Sequence, residues 1–196
     1  GDIPFEVVND GEVTALAGAL SLHDGALLGI AMGTSLAAGY CDPAGSLTPW
    51  LNELAFAPLD YAPEAPADEW SGDRGCGVQY LSQQAVGRLL PVAGIDLPEA
   101  MPLPERLKQA QERADAGDER AGEVFRTVGA YFGYAVAHFA EFYDLRHIMA
   151  LGRVMSGEGG RILLETAAET MARDFPELGD GIELTTPDET MRRHGQ

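Results

Sequence analysis

Lysine is nearly missing from this chain: Lys108 is the single one in 196 residues. Acidic residues outnumber basic ones 31 to 13, for a formal net charge of −18. No basic stripe exists for a phosphate backbone or an anionic membrane, so nucleic-acid binding and membrane-surface binding are disfavoured. Only two cysteines occur, Cys41 and Cys76, too few for a disulfide framework. No apolar run reaches the length of a membrane span, and no signal peptide is present. The expected compartment is the cytoplasm. Internal repeats and low-complexity tracts are also lacking. The chain opens at Gly1 without methionine, directly before an apolar run, so a fragment or processed product is expected.

What is present is enough for one globular domain: hydrophobic residues make up 45% of the chain. Its organising stretch is Ala26–Tyr40, ALLGIAMGTSLAAGY. Two apolar runs meet at Gly33-Thr34-Ser35, which predicts a buried β-hairpin. Gly33 is expected there because a β-carbon would hinder the turn. Thr34 and Ser35 add hydroxyls beside exposed N–H groups, and such a turn either holds an anion such as phosphate or is an ordinary polar tip.

Ile3–Val8 reads as a short strand, and Asn9-Asp10-Gly11 leads into a helix through Leu20. Asp10 either caps that helix or stands free as a general base, and both hold if Asn9 does the capping. Asp42–Gly45 is a turn. Glu53 falls between Leu51, Leu54 and Phe56, and a carboxylate buried there would need a partner or a ligand. Asp60–Gly77 reads as a long surface loop.

Helical pattern resumes at Val78, with a stripe of Tyr80, Leu81, Ala85 and Leu89, and Pro91–Pro104 reads as a linker. A polar helix from Glu105 to about Ala116 is expected to expose Glu105, Glu112 and Asp115. Asp118 then caps a long helix to about Tyr143, with the stripe Phe125, Val128, Phe132, Ala135, Phe139 and Phe142. His138 beside it reads as a packed histidine rather than a ligand or base. His147–Gly152 is an apolar strand, followed by the Gly-rich turn Arg153–Gly160 and a helix to about Arg173. Such a turn brings backbone close to a nucleotide, or simply uses Ser156 as a cap. Gly181–Thr185 is a further strand, and Pro187 opens a terminal helix.

These pieces in this order resemble the second half of the ROK family of bacterial sugar kinases and repressors. Val7–Ala19 resembles its Asn-Asp motif, GTSLAAGY its phosphate turn, and Asn52–Phe56 its Gly-Glu-x-Gly-His motif. Gly72–Ser82 resembles its cysteine loop, and ALGRVMSGEGG its adenosine turn. The resemblance implies an α/β fold with a ribonuclease H-like mixed sheet and packed helices. Residues 1–196 would be the carboxy-terminal domain of an actin-like ATPase/sugar kinase fold, with the amino-terminal half absent. It implies glucokinase-like, ATP-dependent phosphorylation of a sugar hydroxyl in the intact protein, with the isolated chain inactive or nearly so. Asp10 would be the catalytic base, Asn9 and Glu53 sugar contacts, and Gly33, Thr34, Ser35 and Gly152 nucleotide or phosphate contacts. ATP, Mg²⁺ and a sugar are the implied ligands, and a homodimer is compatible with it. The departures fall on zinc and sugar positions. Phe56 replaces the zinc histidine, Glu69 and Ser71 replace two zinc cysteines, and Val78 replaces a sugar-binding glutamate. Zinc is therefore not expected. A non-catalytic sugar-sensing or structural module with a degenerate site is the alternative.

Overall fold

The computed structural model describes residues 10–187. The expected strand Ile3–Val8, Asn9 and the expected helix after Pro187 lie outside the described residues. Element order is α1 (Asp10–Leu22), β1 (Leu27–Met32), β2 (Leu36–Cys41), α2 (Gln83–Val92), α3 (Leu103–Asp115), α4 (Glu119–Phe139), β3 (His147–Leu151), α5 (Gly157–Asp174), α6 (Pro176–Gly179) and β4 (Glu183–Thr185).

The hairpin forms as the apolar runs predict, with Met32 opposite Leu36 and Leu27 opposite Cys41. It is one side of a four-stranded mixed sheet ordered β2-β1-β3-β4. β3 pairs parallel with β1, Leu27 beside His147, and β4 pairs parallel with β3. Burial on both faces explains why these strands read as continuous apolar runs rather than alternating ones. Leu28, Ile30 and Met32 join the larger core with Phe125, Phe132 and Ile148. Leu27, Cys41 and Met149 point the other way, onto Ala15 and Ala19 of α1.

Glycine lets α1 lie flush on the hairpin. A β-carbon on Gly39 would stand 2.3 Å from the Glu12 nitrogen, and one on Gly11 would stand 2.2 Å from the Ala38 carbonyl carbon. At the strand starts, His147 Nε2 lies 3.0 Å from Asp24 Oδ2, and His147 Nδ1 lies 3.3 Å from Glu183 Oε2. This contact, led by the His147 hydrogen bond, holds the Asp24 carboxyl below its usual range.

On the other face α4 packs along α5. Asp118 caps α4 as expected, accepting the Arg120 N–H at 3.1 Å. The stripe Phe125, Val128, Phe132, Ala135 and Phe139 is buried. Phe142 is not part of it: α4 ends at Phe139 and Phe142 is exposed. His138 is half-buried and its ring meets Phe142 at 5.3 Å. Tyr80 and Leu81 are buried but precede α2, whose cap Ser82 accepts the Gln84 N–H. Pro91 lies inside the last turn of α2 rather than opening a linker. There it forfeits one hydrogen bond near the helix end.

Candidate active site

The parallel pairing of β1 with β3 sets their carboxyl ends side by side, the edge where open α/β sheets receive ligands. Gly33-Thr34-Ser35 leaves the end of β1, and Gly152 leaves the end of β3. Gly152 has φ of 101°, and a β-carbon on it would meet the Met32 carbonyl oxygen at 2.3 Å. It therefore presses on the residue that precedes the hairpin turn. The contacts of Gly11 with Ala38 and of Gly39 with Glu12 bring the first turn of α1 to the middle of β2. Asp10 opens that helix, and only its backbone is described. The Gly33–Ser35 turn and Gly152 are thus gathered at one edge of the sheet, and the first turn of α1 lies on the strand that follows that turn.

The turn differs from its expected form. Gly33 is outside the left-handed region, and a β-carbon there would meet only the Ser35 oxygen at 3.9 Å. Glycine is not demanded by conformation or packing; its missing side chain leaves open space. The Gly33 N–H is spent on Ser35 O at 2.9 Å, while Gly33 O accepts the Gln83 N–H at 3.0 Å. Thr34 and Ser35 are exposed. The amino terminus of α2 is thus fastened to the turn. Gln83 itself is buried, and its side-chain Nε2 has no hydrogen-bond partner in the structure. Nothing in the sequence near Gln83 signals this role, because its partner is 50 positions away.

The Gly-rich turn after β3 is held by α3. Asp115 Oδ1 accepts the Glu158 N–H at 2.8 Å, and Gln111 Nε2 donates to the carbonyls of Arg153 and Ser156. Ser156 takes the capping position of α5, yet its side chain makes no cap hydrogen bond. A carboxylate from α3 thus occupies the positive end of α5, where an anion would otherwise be favoured.

Glu53 is exposed, not enclosed by its apolar neighbours. Leu51 and Phe56 turn outward as well. The buried polar residue of this segment is Asn52. Its Oδ1 accepts the Tyr143 hydroxyl at 3.1 Å, and its Nδ2 donates to Trp50 O at 3.3 Å. The Tyr143 ring lies 4.9 Å from that of Tyr40 on β2. Asn52 thereby anchors the segment to the hairpin. The Leu54 oxygen is close to Gly77, where a β-carbon would stand 2.3 Å away and 3.3 Å from the Leu36 side chain. Glu53 therefore belongs to a segment beside the start of β2.

A structural zinc site wants four nitrogen or sulfur ligands, and the positions where the resemblance would put them carry few. Phe56 offers none, and Glu69 and Ser71 offer only oxygen. Cys76 is buried, and desolvation pushes its thiol up, away from the thiolate a metal needs. Among the described residues no group of three or more His, Cys, Asp or Glu could hold a metal ion. The loop is tied instead by Asp68. Its buried carboxylate accepts the N–H groups of Trp70 at 3.1 Å and Ser71 at 2.8 Å. The Ser71 amide, as the largest influence, holds the Asp68 carboxyl below its usual range.

No helix among the described residues is long and apolar enough to cross a membrane. No family model matches the chain, and no curated protein matches it. Solved structures match it in fold. A ROK family transcriptional regulator, a homologue of the E. coli MLC protein, aligns with a TM-score of 0.72 at 21% identity, over 91% of this chain and 46% of its own. A ROK family glucokinase from Streptomyces griseus, solved with glucose and AMPPNP, gives 0.68 at 21% identity, over 85% of this chain and 57% of its own. The ROK hexokinase from Thermus thermophilus gives 0.69 at 16% identity, over 93% and 59%. The chain spans 46% to 59% of the length of these proteins. Over that span, its mixed α/β sheet with packed helices is the fold of ROK regulators and sugar kinases.

Proposed function

We propose that the intact protein is an ATP-dependent sugar kinase of the hexokinase type, and that this chain is its carboxy-terminal domain. The observation that carries the reading is the meeting of the Gly33–Ser35 turn and Gly152 at one sheet edge, with the start of α1 packed on the adjoining strand β2. Asp10, as its ionised carboxylate, would accept the proton of a sugar hydroxyl as that oxygen attacks the γ-phosphorus of ATP, with ADP leaving. Gly33, Thr34 and Ser35 would face the phosphates and Gly152 the adenosine side. Asn9 and Glu53 would hold the sugar. Mg²⁺, bound with the nucleotide, would supply positive charge against the phosphates. Such chemistry rests on positioning and electrostatics rather than on covalent catalysis. On this reading the protein is cytoplasmic, binds no nucleic acid through this domain, needs no zinc, and is compatible with a homodimer. The isolated chain would turn over little or nothing.

A second reading, a sugar-sensing module without catalysis, is favoured by the Phe56 and Val78 positions. Val78 is buried and offers a sugar no hydrogen bond. One of the similar structures is a regulator rather than a kinase. Phosphoryl transfer from ATP and Mg²⁺ to a panel of sugars, assayed on the full-length protein, separates the two. Transfer supports the kinase; sugar binding without transfer supports the sensor.

A further inference from the structure

We propose that the side-chain amide of Gln83 donates to a phosphate oxygen of the nucleotide at the Gly33–Ser35 turn, which makes Gln83 a binding residue of that site. This rests on the reading of the turn as the place where ATP sets its phosphates. Gln83 opens α2 and is 1% exposed. Its Nε2 has no hydrogen-bond partner among the described residues. A buried donor without an acceptor is costly, and native folds hold few of them. The polar side chains around it are engaged. Gln79 Nε2 donates to Gln84 Oε1 at 2.6 Å, and Gln79 Oε1 accepts from Arg88 at 2.8 Å.

The place of Gln83 is fixed by its backbone. Its own N–H donates to Gly33 O at 3.0 Å, so the root of the side chain is fastened to the turn. The amide therefore lies within one side chain's length of any group bound there. The backbone donors of the region are already spent. Gly33 N–H goes to Ser35 O at 2.9 Å, and Ala85 N–H to Ser82 O at 3.1 Å. Gln84 N–H goes to Ser82 Oγ at 3.1 Å. The first turn of α2 thus has no free N–H to offer an anion from these three residues, and the Gln83 amide is the donor left over. Room for a ligand exists at Gly33, where a β-carbon would meet only Ser35 O at 3.9 Å. Turning about its own side-chain bonds, the amide exchanges an unpaired state for a hydrogen bond. That difference between the two states is what lets a ligand draw it out, and rotamer changes of this kind are common on binding.

The chemistry selects the ligand. An amide N–H donates without carrying charge, and its bond to a charged phosphate oxygen is of the stronger, charge-assisted type. Thr34 and Ser35 set two exposed hydroxyls beside it, so the turn presents several donors to one cluster of acceptor oxygens. A protein partner is excluded by burial, since a side chain 1% exposed offers no docking surface.

Gln83→Met keeps the length of the side chain and removes the donor; Gln83→Glu sets a negative charge in its place. Both are made in the full-length protein and titrated by calorimetry with ATP and Mg²⁺, and with inorganic tripolyphosphate. Gln83→Met should weaken ATP roughly 10-fold or more, and Gln83→Glu should weaken it further through repulsion. Without ligand, the urea midpoint of Gln83→Met should lie at or above the parent's, because an unpaired buried amide gives way to an apolar group. The proposal is overturned if ATP affinity is unchanged in Gln83→Met, or if the parent binds neither ATP nor tripolyphosphate. It is equally overturned if the ligand-free midpoint of Gln83→Met falls below the parent's, since the amide would then have a partner within the fold. ATP binding that depends on Gln83, in a protein that phosphorylates no sugar, would refute the kinase and leave this contact standing. Sugar phosphorylation with a KM for ATP indifferent to Gln83→Met would refute the contact and leave the kinase.

Discussion

Gly39→Ala is expected to loosen the hold of α1 on the sheet and to displace Asp10 with it. The added β-carbon would lie 2.3 Å from the Glu12 nitrogen and 2.4 Å from both the Glu12 Cα and the Gly11 carbonyl carbon. All three are backbone atoms, so no side chain can swing aside. Ordinary contact begins near 3.4 Å, so the helix must retreat by about 1 Å, and tightly packed interiors resist that. Overpacking of this kind costs about 1–3 kcal/mol. With a urea slope of about 2 kcal/mol/M, the denaturation midpoint should fall by roughly 0.5–1.5 M at unchanged slope. Gly33→Ala is the matched control, because its β-carbon would find only Ser35 O at 3.9 Å; its midpoint should stay within about 0.5 kcal/mol equivalent of the parent. If the full-length protein is the proposed kinase, the same 1 Å shift of Asp10 should lower kcat by about 10². Coincident denaturation curves for Gly39→Ala and the parent would refute the flush packing of α1 on β2, and with it the argument that glycine positions Asp10.

Acid should release the α4 cap. Asp118 is held down at about 2, first by the Arg120 side chain, so its folded value lies below the unfolded one. Its stabilisation is present above the ordinary carboxylate range near pH 4 and is lost as pH falls toward 2. The stability difference between parent and Asp118→Asn should therefore shrink between pH 4 and pH 2; a constant difference over that range would contradict the assignment. Protein purified without added metal should carry well under one zinc per chain by elemental analysis. Stoichiometric zinc that survives chelation would contradict the oxygen-rich, single-thiol reading of Phe56, Glu69, Ser71 and Cys76.

The hairpin and the α4 stripe were legible because their signals are local: two apolar runs around a polar tip, and aromatic residues at i+3 and i+4 spacing. The same letters misled where burial depends on partners far along the chain. Glu53 stands among apolar residues, yet Leu51 and Phe56 are themselves outward, so the segment shelters nothing there. Phe142 continues the stripe in sequence but follows the end of α4. Ser156 has the type and place of a cap, while the actual acceptor for Glu158 N–H is Asp115, 43 positions away. The edge that brings Gly33 to Gly152 depends on the pairing of β1 with β3 across about 120 positions. No local pattern encodes that register.

The central claim is that Asp10 removes a proton at this edge, and its most direct test is turnover by full-length protein carrying Asp10→Asn. With ATP, Mg²⁺ and the sugar that the parent phosphorylates, kcat should fall by roughly 10²-fold or more, since a positioned base contributes about 10² to 10⁴. Nucleotide affinity should be unchanged, because on the proposed reading the phosphates would meet the Gly33–Ser35 turn and not Asp10. Undiminished turnover in Asp10→Asn would contradict the assignment of the base.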